Sequence, residues 1–204
     1  MENQLGWAKK LAAIAQNGLL YSESPFDIER YEKIRDIAAE MLSKISSEKT
    51  SVILGLFRGE VGYATPKVDV RGVVFENESI LLVKEREDNL WTLPGGWADI
   101  GDSPSGAVVR EIFEESGFRA RALKLLAVLD KNKQGHPPSP VHIYKLFIEC
   151  ALTGGEAKTS IETDGAAFFG EGEIPELSLG RTTPAQIRRL FEHHRHPDWP
   201  ADFD

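Results

Sequence analysis

Gly96-Trp97-Ala98-Asp99-Ile100-Gly101-Asp102, then seven residues, then Arg110-Glu111-Ile112-Phe113-Glu114-Glu115-Ser116-Gly117-Phe118, is the stretch from which the rest of the chain is read. Glu111, Glu114 and Glu115 are spaced so that one α-helical turn brings all three together. Carboxylates gathered this way repel one another unless a positive charge sits among them. Ser103 and Pro104 suit the N-cap and first position of that helix, and Gly117 suits its left-handed end. Val109, Ile112 and Phe113 are expected to face a core, with the glutamates on the other side. Leu93-Pro94-Gly95-Gly96 must turn sharply out of a strand, and two adjacent glycines let backbone amides approach a ligand. Hard oxygen donors point to Mg²⁺, with Mn²⁺ as the alternative, and to a phosphate ester as the client. A soft metal would require clustered Cys or His. An acidic helix face in water is the plain alternative. The glycine pair, Arg110 beside the first glutamate and the closing glycine favour the metal site.

The 204 residues are enough for one domain and an appendage. A 41% hydrophobic and 27% charged composition is that of a globular protein. The net charge of −8 argues against nucleic-acid binding through a broad basic surface. The lone Cys150 excludes an intrachain disulfide and reads as a buried strand thiol. No apolar run approaches the roughly 20 residues of a membrane span. Lys9-Lys10 before Leu11 superficially resembles a signal peptide, but the spacing of Leu5, Ala8, Leu11, Ala12 and Ala15 fits an amphipathic helix. A cytoplasmic location is the expectation.

Residues 1–48 read as a small helical N-terminal domain. One helix is expected over 3–17 with Gly18 as its cap. A second starts at Ser24-Pro25, with Asp27 as a reciprocal cap and Tyr31, Ile34, Ala38, Met41, Leu42 and Ile45 on its apolar side. The polar Ser43–Ser51 reads as a linker. Residues 52–204 read as a mixed α/β domain. Its strands are expected at Val68–Phe75, Ile80–Lys84, Leu123–Asp130, Val141–Cys150 and Ala166–Phe169, with a hairpin turn at Glu76-Asn77-Glu78 and a final helix over Pro184–Arg195.

The Gly96–Phe118 stretch resembles the Nudix box, G-x5-E-x7-R-E-U-x-E-E-x-G-U, in which U is a bulky aliphatic residue. Gly96, Arg110, Glu111, Ile112, Glu114, Glu115 and Gly117 fit as they stand. Phe118 puts an aromatic at the last apolar position, and Asp102 replaces the first glutamate. Trp91–Gly96 resembles the segment leading into the box. The N-terminal part, with Gln16–Leu19, Phe26–Tyr31 and Thr65-Pro66-Lys67, is similar to a bacterial subgroup with a helical N-terminal domain that acts on ADP-ribose and CDP-choline.

The resemblance implies a Nudix-type α/β/α sandwich with a mixed sheet, and Mg²⁺-dependent hydrolysis of a nucleoside diphosphate derivative. Glu111, Glu114 and Glu115 would hold the metal, with Glu114 and Glu115 counted as catalytic. Arg110 would hold the glutamates in place. Gly95 and Gly96 would offer backbone contacts. Glu162 is the candidate general base, with Asp164 beside it. Arg71, Arg86 and His136 are candidate substrate contacts, although for Arg71 and Arg86 surface ion pairs are the favoured reading. The loop from Asp130 to Pro140 carries Lys131, Lys133 and His136, which suit phosphate or base contacts or an ordinary connection. Trp97 is expected in the core, and His193, His194 and His196 at a solvated chain end. An RNA-end hydrolase using the same metals and a non-catalytic nucleotide sensor are the rival functions. The helical part is expected to support a homodimer or shape the substrate pocket.

Overall fold

The computed structural model describes residues 2–46 and 48–204. They fall into two compact units, one of residues 1–66 with 138–142, the other of 67–137 with 143–204.

The first unit is helical. α1 spans Glu2–Tyr21, α2 Pro25–Ser43 and α3 Thr50–Gly59. Ala8, Ala39, Leu42 and Ile53 form its buried centre, flanked by Leu5, Met41 and Phe57. Gly18 does not end α1. The helix runs on through Tyr21, and Gly18 is needed because a Cβ there would lie 2.3 Å from the Tyr31 ring. Ser24 and Pro25 start α2 as expected, but Asp27 pairs with Arg30 at 2.5 Å instead of capping. A third helix takes the end of the stretch expected as linker and the start of the expected second domain, since Ile53 fills the apolar gap between α1 and α2. Asn17 accepts from the Ala64 amide at 2.7 Å, tying the segment after α3 back to α1.

The second unit is built on a mixed sheet. Its strands are β1 (Lys67–Glu76), β2 (Ser79–Glu85), β3 (Trp91–Thr92), β4 (Phe118–Asp130), β5 (Ile143–Gly155), β6 (Thr163–Gly170) and β7 (Asp202–Phe203). They run β3-β2-β1-β5-β4-β7, and β6 lies on the other edge of β2. β1–β5 and β4–β7 are parallel pairs; the rest are antiparallel. Asn77 and Glu78 both take positive φ (48° and 60°), as a two-residue hairpin between twisted strands demands. Among the described residues no helix is long and apolar enough to cross a membrane.

Adjacent strand residues point to opposite faces, and this alternation makes two cores. Val70, Val74, Leu81 and Ile148 meet Ala107, Val108 and Ile112 of helix α4 (Pro104–Ser116). Val73, Ile80, Leu82 and Phe147 meet Ile187, Leu190 and Phe191 of helix α5 (Pro184–Arg195). The result is the α/β/α sandwich that the sequence led us to expect.

The sheet splits where the box begins. β1 pairs with β2 only at Phe75 and Glu76, and the strands then diverge. The segment after β3 fills the gap along β1: the Gly72 amide donates to Pro94 at 2.8 Å, Val70 to Gly96 at 2.9 Å, and Ala98 to Val68 at 3.1 Å. Gly95, at φ 141°, passes so close that a Cβ would stand 2.1 Å from the Val70 carbonyl oxygen. Only glycine fits.

Candidate active site

Ser103 caps α4 by accepting from the Gly106 amide at 3.1 Å, and Gly117 ends it at φ 78° with its amide on Phe113. The three glutamates are not equivalent. Glu111 and Glu115, four apart, are buried, whereas Glu114 is exposed. Phe113, expected in the core, is half exposed because Ala107 and Val108, not Phe113, share the sheet-facing side with Ile112.

Arg110 serves as the cation of this cluster. It donates to Glu114 at 2.9 Å and Glu111 at 3.0 Å, and its other nitrogens reach Asp102 at 3.2 and 3.3 Å and Asp99 at 3.3 Å. Asp102, though one methylene shorter than the usual glutamate, still reaches Arg110.

Glu115 takes one backbone hydrogen bond, from the Gly95 amide at 2.8 Å. Burial pushes its carboxyl up to about 8, against the lowering pull of Arg71 and the Gly95 amide. Burial likewise raises Glu111, against Arg110. A Cβ on Gly96 would lie 3.2 Å from a Glu111 oxygen, so the loop is pressed onto that carboxylate. Among the described residues no three carboxylate, imidazole or thiol groups already converge into a metal-holding cluster. The donor chemistry nevertheless fits a divalent cation. All three donors are hard oxygens, and Glu115 is a desolvated carboxylate short of positive charge.

Of the three glutamates only Glu115 borders a cavity of about 320 Å³, whose wall also includes Glu85, Glu162, Gly95 and Gly96; Glu111, Glu114 and Arg110 lie outside that wall. Trp97 also lines it and is 48% exposed, not packed in the core. The opposite charge comes from Arg71, Lys131 and Arg181. Arg71 is buried, not a surface residue. Asp69 grips it with two 2.8 Å hydrogen bonds, and it donates to the Leu93 carbonyl at 3.1 Å. Lys145, the cross-strand neighbour of Asp69, donates to it at 2.9 Å. Burial would raise Asp69, but Arg71 and Lys145 together lower it. Lys145 itself is pushed down to about 7 by burial and by Arg71. Arg181 holds Glu85 at 3.0 Å and Glu87 at 2.6 Å.

The other anticipated contacts lie differently. Arg86 pairs with Asp164 at 3.0 Å, half exposed, and neither lines the cavity. His136 does not line it either. Its Nδ1 donates to the Leu179 carbonyl at 2.7 Å, which leaves Nε2 to accept from Gln186 at 3.1 Å. Burial pushes His136 down to about 4, fixing it as a neutral tie. His193 is buried on Asp202 at 2.9 Å instead of lying in solvent. Cys150 is a buried strand thiol, raised to about 12 by burial. Asp69, Glu85, Lys145 and Arg181 went unremarked in the sequence. Asp69 and Arg71 could have been found there, because two charges at period 2 in an otherwise apolar strand share one face.

Residues 65–191 match the family of the NUDIX domain, and residues 2–57 match a domain described as UDP-X-like, N-terminal oligomerisation domain. The chain is 51% identical over 197 residues, 97% of its own length and 95% of the relative's, to the Bacillus subtilis (strain 168) protein named "Putative ADP-ribose pyrophosphatase YjhB". A crystal structure of an ADP-ribose pyrophosphatase from Streptococcus suis 89-1591 is similar at 41% identity and a TM-score of 0.64, covering 69% of this chain and all (100%) of that one. A crystal structure of a UDP-X diphosphatase is similar at 32% identity and a TM-score of 0.64, covering 98% of this chain and 97% of that one.

Proposed function

The chain belongs to the NUDIX hydrolase family, and from that premise we propose that it hydrolyses the diphosphate bond of a nucleoside diphosphate derivative, ADP-ribose first among them. CDP-choline is the second substrate to test. The observation that carries this reading is the meeting, around one cavity, of a buried α4 carboxylate, the glycine-loop amides, the buried Arg71 and the half-buried Lys131 and Arg181. Similarity to the two ADP-ribose pyrophosphatases supports the choice of substrate.

Glu111, Glu114 and Glu115 would hold Mg²⁺, or Mn²⁺, by their carboxylate oxygens. The bound ion would neutralise pyrophosphate charge and acidify the attacking water. Arg110 keeps Glu111 and Glu114 together before loading. The Gly95 amide fixes the direction of the Glu115 carboxylate. Glu162 lines the cavity, and among the described residues its carboxylate makes no hydrogen bond or ion pair, so it is free to take the water's proton. Glu85, held by Arg181, is less free. Arg71 sits on the wall with its charge already committed to Asp69, and adds positive field for the diphosphate. The helical unit would pair two copies of the chain.

Product analysis on ADP-ribose, CDP-choline and a capped RNA, with and without Mg²⁺, tests this reading. AMP and ribose 5-phosphate appearing only with metal is the expected result. Shortening of the RNA, or tight binding of ADP-ribose with no turnover, would overturn it.

A further inference from the structure

Lys131 opens the 3₁₀ turn Lys131–Lys133 that follows β4, and it reaches the cavity wall. The other two cations there already have anions: Arg71 has Asp69, and Arg181 has Glu85 and Glu87. Lys131 makes no hydrogen bond or ion pair among the described residues. It is half-buried, and its electrostatic neighbours are Asp69, Arg71 and Arg181, so two of the three repel it. Burial lowers its pKa first, the two arginines add to that, and Asp69 alone opposes. A cation placed in this way lacks an anion.

The placement is built into the loop. The Asp130 carboxylate accepts from the Asn132 amide at 2.9 Å. Asp204, after β7, accepts from the Asp130 amide and from the Gln134 side chain, the latter at 2.8 Å. At the far end His136 ties the loop to the Leu179 carbonyl, beside Gly180 and Arg181 of the cavity wall. Neither end of the turn is free to drift, so Lys131 is presented by a braced segment.

We propose that Lys131 is the specificity-determining anion contact of this enzyme, donating to a phosphate oxygen of the substrate's diphosphate. The proposal rests on the diphosphate-hydrolase reading above and adds the residue that selects a doubly charged linkage. An unpaired ammonium gains more from a dianionic linker than Arg71 or Arg181, whose charges are already matched. Lys131 therefore acts mainly in binding, and the chemical step remains with the α4 carboxylates.

The test uses the full chain with Lys131→Met and Lys131→Arg. Calorimetry would follow binding of inorganic pyrophosphate and of ADP in the presence of Mg²⁺, and steady-state kinetics would follow ADP-ribose. Loss of one charge-assisted hydrogen bond predicts binding and KM about tenfold weaker in Lys131→Met, with kcat within about threefold of the parent. Lys131→Arg, which keeps the charge, is expected to recover most of the affinity, and both variants to keep the parent's melting temperature. Unchanged pyrophosphate and ADP affinities in Lys131→Met would overturn the proposal. So would a parent protein that binds neither. Lys131-dependent pyrophosphate binding without turnover of ADP-ribose would uphold the role of Lys131 and overturn the hydrolase reading instead.

Discussion

Asp69 holds Arg71, two residues along the same strand, through two parallel 2.8 Å hydrogen bonds, and it takes the ammonium of Lys145 with an oxygen it also gives to Arg71. One buried carboxylate thus matches two buried cations. Asp69→Asn keeps the shape and removes the charge. Breaking a buried pair from one side costs about 3–5 kcal/mol, so Asp69→Asn is expected to lower stability by about that amount. Urea denaturation checks it, and a midpoint equal to the parent's would mean that Asp69 is not the neutralising group.

Glu115 behaves in the opposite sense. Its charge is disfavoured by burial, so Glu115→Gln removes a burden on the fold while removing the proposed metal donor. Turnover is expected to fall by about three orders of magnitude or more, with an equal or higher melting temperature without metal. A near-parental rate would sink the metal assignment.

A divalent ion held as proposed would serve the carboxylates that Arg110 already holds. Stripping the protein with a chelator is therefore expected to abolish activity and leave the melting temperature nearly unchanged. Arg110→Met removes the stand-in. It should cost about 1 kcal/mol in chelator and less in saturating Mg²⁺. Equal losses in both conditions would show that Arg110 and the ion do not exchange roles.

His136 sets an acid limit. Its ordinary value is 6.5 and its folded value about 4, so between these the unfolded chain carries the extra proton. Stability contributed by the neutral ring is present above pH 6.5 and is lost as pH falls towards 4. His136→Gln is expected to flatten that slope and to cost about 1 kcal/mol at pH 7 through lost hydrogen bonds. Urea midpoints from pH 4 to 7.5 measure both; parallel curves for the two proteins would contradict the assignment.

Ile14 and Ile37, 54% and 53% exposed on α1 and α2, suit a surface that meets a second copy. Replacing both with Asp is expected to halve the mass measured by light scattering. A parent protein that is already monomeric would remove the proposed pairing.

The α4 helix was legible because everything that makes it is local. Ser103, Pro104, the glutamate spacing and Gly117 lie within one short run, and each acts through its neighbours in sequence. The Asn77-Glu78 hairpin was legible for the same reason. The cationic wall was not. Lys145 comes to Asp69 only through the parallel register of β1 and β5, and Glu85 meets Arg181 only when the segment before α5 folds over the end of β2. His136 misled because a loop histidine following two lysines looks like a ligand until its two partners, Leu179 and Gln186, are brought up by another part of the chain. Gly18 misled in a different way. The absence of a Cβ serves a helix crossing as well as a helix end, and only the Tyr31 ring decides between them.

Gly95 has no room for a Cβ against Val70, quite apart from anything its amide does for Glu115. In a survey of random substitutions, position 95 would therefore rank among the least tolerant in the chain, and dead variants there would say nothing about contact with substrate. Gly96 is the informative neighbour. Its nearest obstacle is the Glu111 carboxylate at 3.2 Å, a side chain that can yield. An alanine at 96 that folds and loses only metal affinity would separate the loop's role as a seam in the sheet from its role as a ledge over the carboxylates.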